Sequence, residues 1–102
     1  MAHFVDVLTV GDLPPGSCRT VDAGSRQIAI ANLEGEIHAL DNTCPHAGGP
    51  LGEGTIEGQD LICPWHGWRF DLTSGACRFN ASLTQKRYPV EIQGESIRVL
   101  ID

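Results

Sequence analysis

Two short segments of the chain each carry one cysteine and one histidine. The first is Cys44-Pro45-His46 and the second is Cys63-Pro64-Trp65-His66. Thiolate sulfur and imidazole nitrogen are donors that bind soft and borderline metals. Sixteen residues separate the two segments, which is enough chain for a turn and a strand that return the second segment beside the first. The candidate ligands of a metal centre are therefore Cys44, His46, Cys63 and His66.

The mixed composition of each segment distinguishes two kinds of metal site. Zinc fingers commonly take two cysteines from one segment and two histidines from another, so that each half is chemically uniform. Each half of this pair is mixed. If equivalent ligands share a metal, Cys44 and Cys63 bind one iron and the two histidines bind the other, as in an iron-sulfur cluster with one nitrogen-ligated iron. A tetrahedral zinc site formed by the same side chains is the alternative.

The residues around the candidate ligands resemble the two cluster loops of the Rieske-type ferredoxin family. Residues 44–51 read Cys-Pro-His-Ala-Gly-Gly-Pro-Leu, and residues 63–68 read Cys-Pro-Trp-His-Gly-Trp. The resemblance covers nearly all of the chain when residues 88–90 and the segment from Ser96 to Ile101 are included. It implies one [2Fe-2S] cluster per chain, with Cys44, His46, Cys63 and His66 as its ligands.

Length and charge limit what the chain can do. The 102 residues are enough for one hydrophobic core but not for an additional catalytic domain, which excludes a complete ring-hydroxylating oxygenase subunit. No long apolar run indicates a membrane span or an export signal, so we expect a soluble cytoplasmic protein with no membrane contact. The net charge of −6 argues against nucleic-acid binding and favours a partner with a basic surface. Asp41, Glu53 and Glu57 are the expected steering charges.

Short apolar runs between turn residues predict an all-β chain. Evenly spaced short strands are typical of an antiparallel sandwich or barrel. The resemblance implies the Rieske fold: a single domain over residues 1–102, with a β base at about residues 1–40 and 71–102. A cluster-binding subdomain with two ligand loops is then an insertion at about residues 41–70. The predicted strands are 4–9, 26–32, 36–41, 54–57, 61–63, 88–92 and 97–101.

The remaining cysteines and a third loop are where the chain departs from relatives. Respiratory Rieske proteins carry an extra cysteine in each ligand loop, and the two form a disulfide; the equivalent residues here are Gly49 and Trp65. We therefore expect no such clamp, and we expect Cys18 and Cys77 to be small buried residues or surface thiols. Relatives also have a proline-rich third loop, whereas residues 80–85 contain no proline. We expect this segment to be polar and mobile.

Two aromatic residues after the second loop bear on the reduction potential. High-potential relatives have a serine two residues after the second histidine and a tyrosine two residues later. This chain has Trp68 and Phe70 at those positions. Hydroxyl donors to cluster sulfurs stabilise the reduced state, so their absence predicts a potential near the low end of the Rieske range, about −150 mV.

The predicted function is electron transfer. A cluster whose coordination positions are all filled carries one electron and performs no bond chemistry, so the chain is not expected to be an enzyme by itself. The resemblance implies transfer from a flavin-dependent NADH:ferredoxin reductase to a terminal oxygenase that hydroxylates aromatic rings. Two alternatives are a small Rieske subunit of an NAD(P)H nitrite reductase and a zinc-stabilised structural or interaction module.

Overall fold

The computed structural model describes residues 2–45, 48–80 and 82–101. These residues form β-strands and two short 3-10 turns, Val10–Asp12 and Leu51–Glu53, and they contain no α-helix. The prediction of an all-β chain is thus confirmed. The strands are β1 (His3–Thr9), β2 (Cys18–Ala23), β3 (Arg26–Leu33), β4 (Glu36–Asp41), β5 (Thr55–Glu57), β6 (Asp60–Ile62), β7 (Arg69–Asp71), β8 (Arg87–Tyr88), β9 (Val90–Gln93) and β10 (Ser96–Ile101).

The strands form three antiparallel sheets. The first sheet has the order β1-β10-β9, the second β2-β3-β4-β8, and the third and smallest β5-β6-β7. In the sequence, the strands of the third sheet follow β4 and precede β8. Each of the other two sheets therefore combines strands from before and after the third sheet. No helix of the described residues is long and apolar enough to cross a bilayer.

The second sheet is a middle layer whose two faces are both buried. Side chains alternate along a strand, so neighbouring residues of β3 enter different cores. Ile28 and Ile30 pack into a base core, whereas Ala29 and Ala31 pack into a loop-end core. The base core consists of Leu13, Val21, Ala23, Ile28, Ile30, Ala39, Tyr88, Ile97, Val99 and Ile101. The loop-end core consists of Ala29, Ala31, Leu40, Cys44, Leu51, Leu61, Cys63, Phe70, Leu72 and Cys77.

Strand β2 was not predicted. It lies at the edge of the second sheet and pairs only with β3 among the strands of that sheet. Its alternation is weak because its buried positions are Val21 and Ala23, and the remaining residues are exposed or half-buried. An edge strand with so few apolar residues gives little periodic signal.

The third sheet continues past residue 70, the predicted end of the cluster-binding subdomain. Single β-bridges join Phe70 to Cys77 and Ala76 to Thr84. Leu72 and Cys77 belong to the loop-end core, and Leu83 packs against it. The segment after β7 therefore contacts the same core as the ligand loops.

Candidate metal centre

The two ends of the first ligand loop, Cys44 and residues 48–49, are joined by backbone hydrogen bonds. The Cys44 N–H donates to the Gly49 carbonyl at 2.9 Å, and the Gly48 N–H donates to the Cys44 carbonyl at 2.8 Å. A bridge between Thr43 and Pro50 closes the loop. His46 and Ala47 lie outside the described residues. Of the two predicted ligands in this loop, Cys44 and His46, the structure therefore places Cys44.

The second ligand loop, residues 63–68, has the same backbone hydrogen-bond pattern. The Cys63 N–H donates to the Trp68 carbonyl at 2.8 Å, and the Gly67 N–H donates to the Cys63 carbonyl at 3.0 Å. Gly48 and Gly67 are equivalent in this pattern, and their φ angles of +77° and +73° are in the left-handed region that favours glycine. The two ligand loops therefore share these backbone hydrogen bonds and a glycine at the same position, and each loop begins with a cysteine.

The two cysteines of the ligand loops are buried, whereas His66 is exposed. The Cys44 and Cys63 residues are 1% and 2% exposed, and both belong to the loop-end core. His66 is exposed, as is Pro64 beside it. Sulfur donors therefore lie inside the protein and an imidazole lies at the surface, which is the polarity expected for a cluster with an inner and an outer iron.

The two loops meet at Gly49. A Cβ atom at this position would lie 2.9 Å from both Cys63 Sγ and Trp65 Cγ, closer than real Cβ contacts. The backbone of the first loop thus passes directly over the thiol of the second, and glycine is the residue that permits this approach.

Gly49 and Trp65, the positions that the resemblance equates with the disulfide of respiratory Rieske proteins, are therefore neighbours in this structure. Trp65 covers Gly49 and remains 55% exposed. Cys18 and Cys77 are free thiols. Cys18 Sγ donates to the Gly54 carbonyl at 3.2 Å, and burial raises the pKa of this thiol. Cys77 is buried in the loop-end core.

Trp68 and Phe70 lie where the second loop returns to the sheet. Phe70 is fully buried. Trp68 is half-buried, and its ring packs edge-on against Phe79 with centroids 6.0 Å apart. Phe79 itself is 60% exposed. Neither Trp68 nor Phe70 carries a hydroxyl group, and the low reduction potential remains a prediction.

Acidic residues near the loops are partly paired. Glu53 is exposed and Asp41 is half-buried. Glu57 Oε1 lies 3.1 Å from Arg69 Nη2. The ion pair reduces the field of Glu57 at a distance, so Glu53 is the strongest remaining candidate for electrostatic steering.

Two buried amides near the first loop were not identified in the sequence. Asn42 Oδ1 accepts hydrogen bonds from the Gly52 N–H at 2.8 Å and from Thr20 Oγ1 at 3.0 Å. The Leu51 N–H donates to the Asn42 carbonyl, so Asn42 ties the residues after the loop to those before it. The second amide is Gln85, which is 5% exposed. Their partners are mostly backbone atoms, and no spacing in the sequence marks such contacts.

The described donor set is compatible with the two-iron group of a [2Fe-2S] cluster. Residues 2–45, 48–80 and 82–101 contain no group of three or more His, Cys, Asp or Glu side chains arranged to hold a single metal ion. A [2Fe-2S] cluster needs only two protein ligands at each iron. Two buried thiols, with Gly49 passing over one of them without a Cβ, leave the loops compatible with that cluster.

Comparison with known proteins agrees with this geometry. Residues 3–93 match the family model described as the Rieske [2Fe-2S] domain. The ferredoxin component of a naphthalene 1,2-dioxygenase system from Pseudomonas aeruginosa is 37% identical over 101 residues, which cover 97% of this chain and 94% of that protein.

Solved structures give the same result. A chain in the complex of reduced oxygenase and oxidised ferredoxin of carbazole 1,9a-dioxygenase has a TM-score of 0.85 and 26% identity, covering 94% of this chain and 91% of that chain. A protein described as an NADH-dependent nitrite reductase small subunit from Mycobacterium tuberculosis has a TM-score of 0.91 over 100% of this chain and 97% of its own, at 21% identity. The second likeness concerns the fold alone. The family match includes both ligand loops and most of the base, and the chain belongs to the Rieske [2Fe-2S] domain family, whose cofactor is a [2Fe-2S] cluster.

Proposed function

We propose that this chain carries single electrons from a flavin-dependent NADH:ferredoxin reductase to a terminal oxygenase that hydroxylates aromatic rings. The similarity to a ferredoxin component of a dioxygenase system supports these partners. The observation that carries the proposal is the placement of exposed His66 three residues after buried Cys63 in the same loop. This arrangement would keep the sulfur side of a redox group inside the protein while His66 connects it with the surface.

The proposed ligands are Cys44 and Cys63 for the inner iron and His46 and His66 for the outer iron. The bound cluster supplies a reversible one-electron couple. The two buried cysteines would hold the inner iron as thiolates. His66 presents an imidazole edge at the surface, so a partner that docks there is one side chain away from the bound group.

The loop-end core keeps water from the thiol side of the site. Leu51, Leu61 and Phe70 are fully buried around Cys44 and Cys63. The repeated hydrogen bonds within both loops restrain their backbones. A restrained, dry site lowers the structural reorganisation that accompanies gain or loss of an electron.

The proposal includes a single domain over residues 1–102 that acts in the cytoplasm and has no catalytic activity by itself. The single domain is supported by the second sheet, whose strand β3 contributes residues to both cores. A permanent nitrite reductase subunit is the alternative, and co-purification with a large sirohaem-containing subunit would favour it over a separate carrier.

An anaerobic redox titration tests the proposed function. The purified holoprotein should contain two irons per chain, be red-brown, and bleach on reduction with a midpoint near the low end of the Rieske range, about −150 mV. His66→Ala should abolish this absorbance, whereas His3→Ala at the exposed start of β1 should preserve it. A colourless zinc protein would contradict the carrier role, and a clearly positive midpoint would contradict the predicted potential.

Electron transfer to the proposed partner requires a second measurement. The reduced holoprotein is mixed with a ring-hydroxylating oxygenase in a stopped-flow instrument, and reoxidation is followed at several salt concentrations. Rapid reoxidation is expected, and Glu53→Lys should change its salt dependence because Glu53 is exposed. Reoxidation by nitrite reductase but by no oxygenase would favour the alternative partner.

A further inference from the structure

Gln85 is a buried polar residue beside the first ligand loop. It is 5% exposed and belongs to the segment that replaces the proline-rich loop of relatives. Its backbone N–H donates to the Gly75 carbonyl at 2.7 Å, which attaches the segment to the turn after β7. The neighbouring residues 80 and 82 remain at the surface, where Ser82 donates to the Asn80 side chain. Residues 80 and 82 of this segment are exposed, whereas Leu83 packs against the loop-end core and Gln85 is inside the protein.

The side-chain amide of Gln85 reaches the strand end that precedes the first loop. Gln85 Nε2 lies 2.6 Å from the Asp41 carbonyl and 2.6 Å from the Thr43 carbonyl. A carboxamide nitrogen has two N–H donors, and each of these carbonyls is an acceptor. The nitrogen rather than the oxygen must therefore face them, and both of its donors are used.

The hydrogen bond from Gln85 to the Thr43 carbonyl restrains the orientation of the peptide group between Thr43 and Cys44. The Thr43 carbonyl and the Cys44 N–H belong to one planar peptide unit. Its carbonyl accepts from Gln85, and its N–H donates to the Gly49 carbonyl at 2.9 Å. A peptide plane held at both ends fixes the direction in which the Cys44 side chain leaves the backbone.

The second loop does not need such a support. Cys63 follows β6 directly, and β6 is paired with β5 on one side and with β7 on the other. Cys44 instead lies three residues beyond the end of β4, and β8 pairs with that strand only at residues 39 and 40. Gln85 supplies hydrogen bonds on the β8 side, where the pairing of β4 with β8 has ended, while Asp41 still pairs with Ile28 of β3 and Thr43 forms a bridge with Pro50.

We propose that Gln85 is a positioning residue that holds Cys44 in the orientation required to bind the cluster. It acts through the Thr43–Cys44 peptide and has no contact with iron in this role. The inference rests on the proposed assignment of Cys44 as a ligand. It predicts that loss of the amide donors affects the first ligand loop more than the second.

The test compares holoproteins carrying Gln85→Met, Gln85→Glu and, as a control, Gln59→Met at an exposed turn. Methionine removes both donors at similar volume, and glutamate places an acceptor oxygen against two carbonyl oxygens. Amide hydrogen exchange should accelerate about tenfold or more in peptides containing Cys44 and Gly48, with little change around Cys63. Release of the cluster to a chelator should accelerate in parallel, and the midpoint potential should shift relative to the control.

Each outcome distinguishes a positioning role from other roles. Failure of the Gln85 variants to retain the cluster, with normal exchange protection of β1 and β10, supports the proposal. Equal acceleration of exchange in both loops while the cluster is retained, or loss of protection in the base as well, overturns it because Gln85 would then stabilise the fold generally. Unchanged exchange and cluster release overturn it too. If the wild-type protein itself contains no iron-sulfur cluster, the proposed function fails independently of Gln85.

Discussion

The base core and the loop-end core meet at the second sheet but are built differently. The base core consists of aliphatic side chains and Tyr88, all contributed by strands except Leu13. The loop-end core combines aliphatic and aromatic side chains with three cysteines, and several of its members lie outside strands. One core is therefore formed by strand alternation, whereas the other also depends on the conformation of loops.

The difference is visible within β3. Its large residues, Ile28 and Ile30, face the base, and its small residues, Ala29 and Ala31, face the loop end. Small side chains leave room for the ligand loops to approach the middle sheet. Where the ladder ends there, the buried amides Asn42 and Gln85 make hydrogen bonds to the backbone. We infer that the base can keep its structure without the cluster, while the loop end requires it.

The strongest test of this comparison is removal of a buried cysteine. Cys63→Ala should abolish cluster binding because it deletes a proposed ligand of the inner iron. Cys77→Ala is the matched control, since Cys77 is buried in the same core and is not a proposed ligand. Iron content and visible absorbance check the result, with two irons per chain expected for the control.

The base should survive the loss of Cys63. Hydrogen exchange should remain slow in β1, β3 and β10 and become faster in both ligand loops. Cluster retention by Cys63→Ala together with loss in Cys77→Ala would reverse the ligand assignment. Collapse of the base sheets in Cys63→Ala would show that the two cores are not separable.

A matched pair of core truncations tests the same separation energetically. Ile30→Ala in the base core and Leu61→Ala in the loop-end core both remove fully buried side chains. Each should lower the free energy of unfolding by about 2–5 kcal/mol. Only Leu61→Ala should accelerate cluster release under native conditions. Denaturant titration and chelator kinetics give the two quantities, and equal cluster release by both variants would argue for a single cooperative core.

A smaller effect is expected where the two loops touch. Gly49→Ala places a Cβ 2.9 Å from Cys63 Sγ and from the Trp65 ring, so the loops must separate. Overpacking of this kind costs about 1–3 kcal/mol and should be concentrated at the loop end. Gly11→Ala is the control, because its Cβ would meet no atom within 4 Å.

Cluster release and visible circular dichroism measure the Gly49→Ala effect. Faster release and an altered spectrum are expected for this variant alone. If Gly49→Ala behaves like Gly11→Ala, the close approach of the two loops does not constrain the cluster.

The features that the sequence predicts are those with a regular period or a chemical spacing. The alternation of β1 and β10, and the runs of β3 and β4, predict most of the base. Cysteine and histidine spacing predicts the loops. Asn42 and Gln85 could not be predicted, because their partners are brought together only by folding. The weak edge strand β2 escaped prediction because few of its residues are buried.

The last prediction concerns acid sensitivity at the loop end. Asp71, at the end of β7, accepts hydrogen bonds from the hydroxyl and N–H of Thr73 and from Arg78. The Thr73 hydroxyl bond, followed by the backbone bonds from Thr73 and Ser74 and the charge of Arg78, lowers the pKa of Asp71 below its usual value. A lowered pKa means that the folded state is stabilised by the ionised carboxylate above the unfolded pKa of about 3.9.

This stabilisation is lost as the pH falls below about 3.9 toward the folded pKa of Asp71. Asp71→Asn should therefore be less stable than wild type at pH 7, by about 1 kcal/mol or less, and the difference should shrink in acid. Urea denaturation at pH 7 and in acid measures this difference in the free energy of unfolding, and Asp22→Asn at an exposed position is the control. A difference that stays constant with pH would mean that Asp71 acts through shape rather than charge. In Asp71→Asn at pH 7, faster amide hydrogen exchange confined to Thr73 and Ser74 would show that the lost stability is local to the loop end. This is the result expected if the two cores are separable.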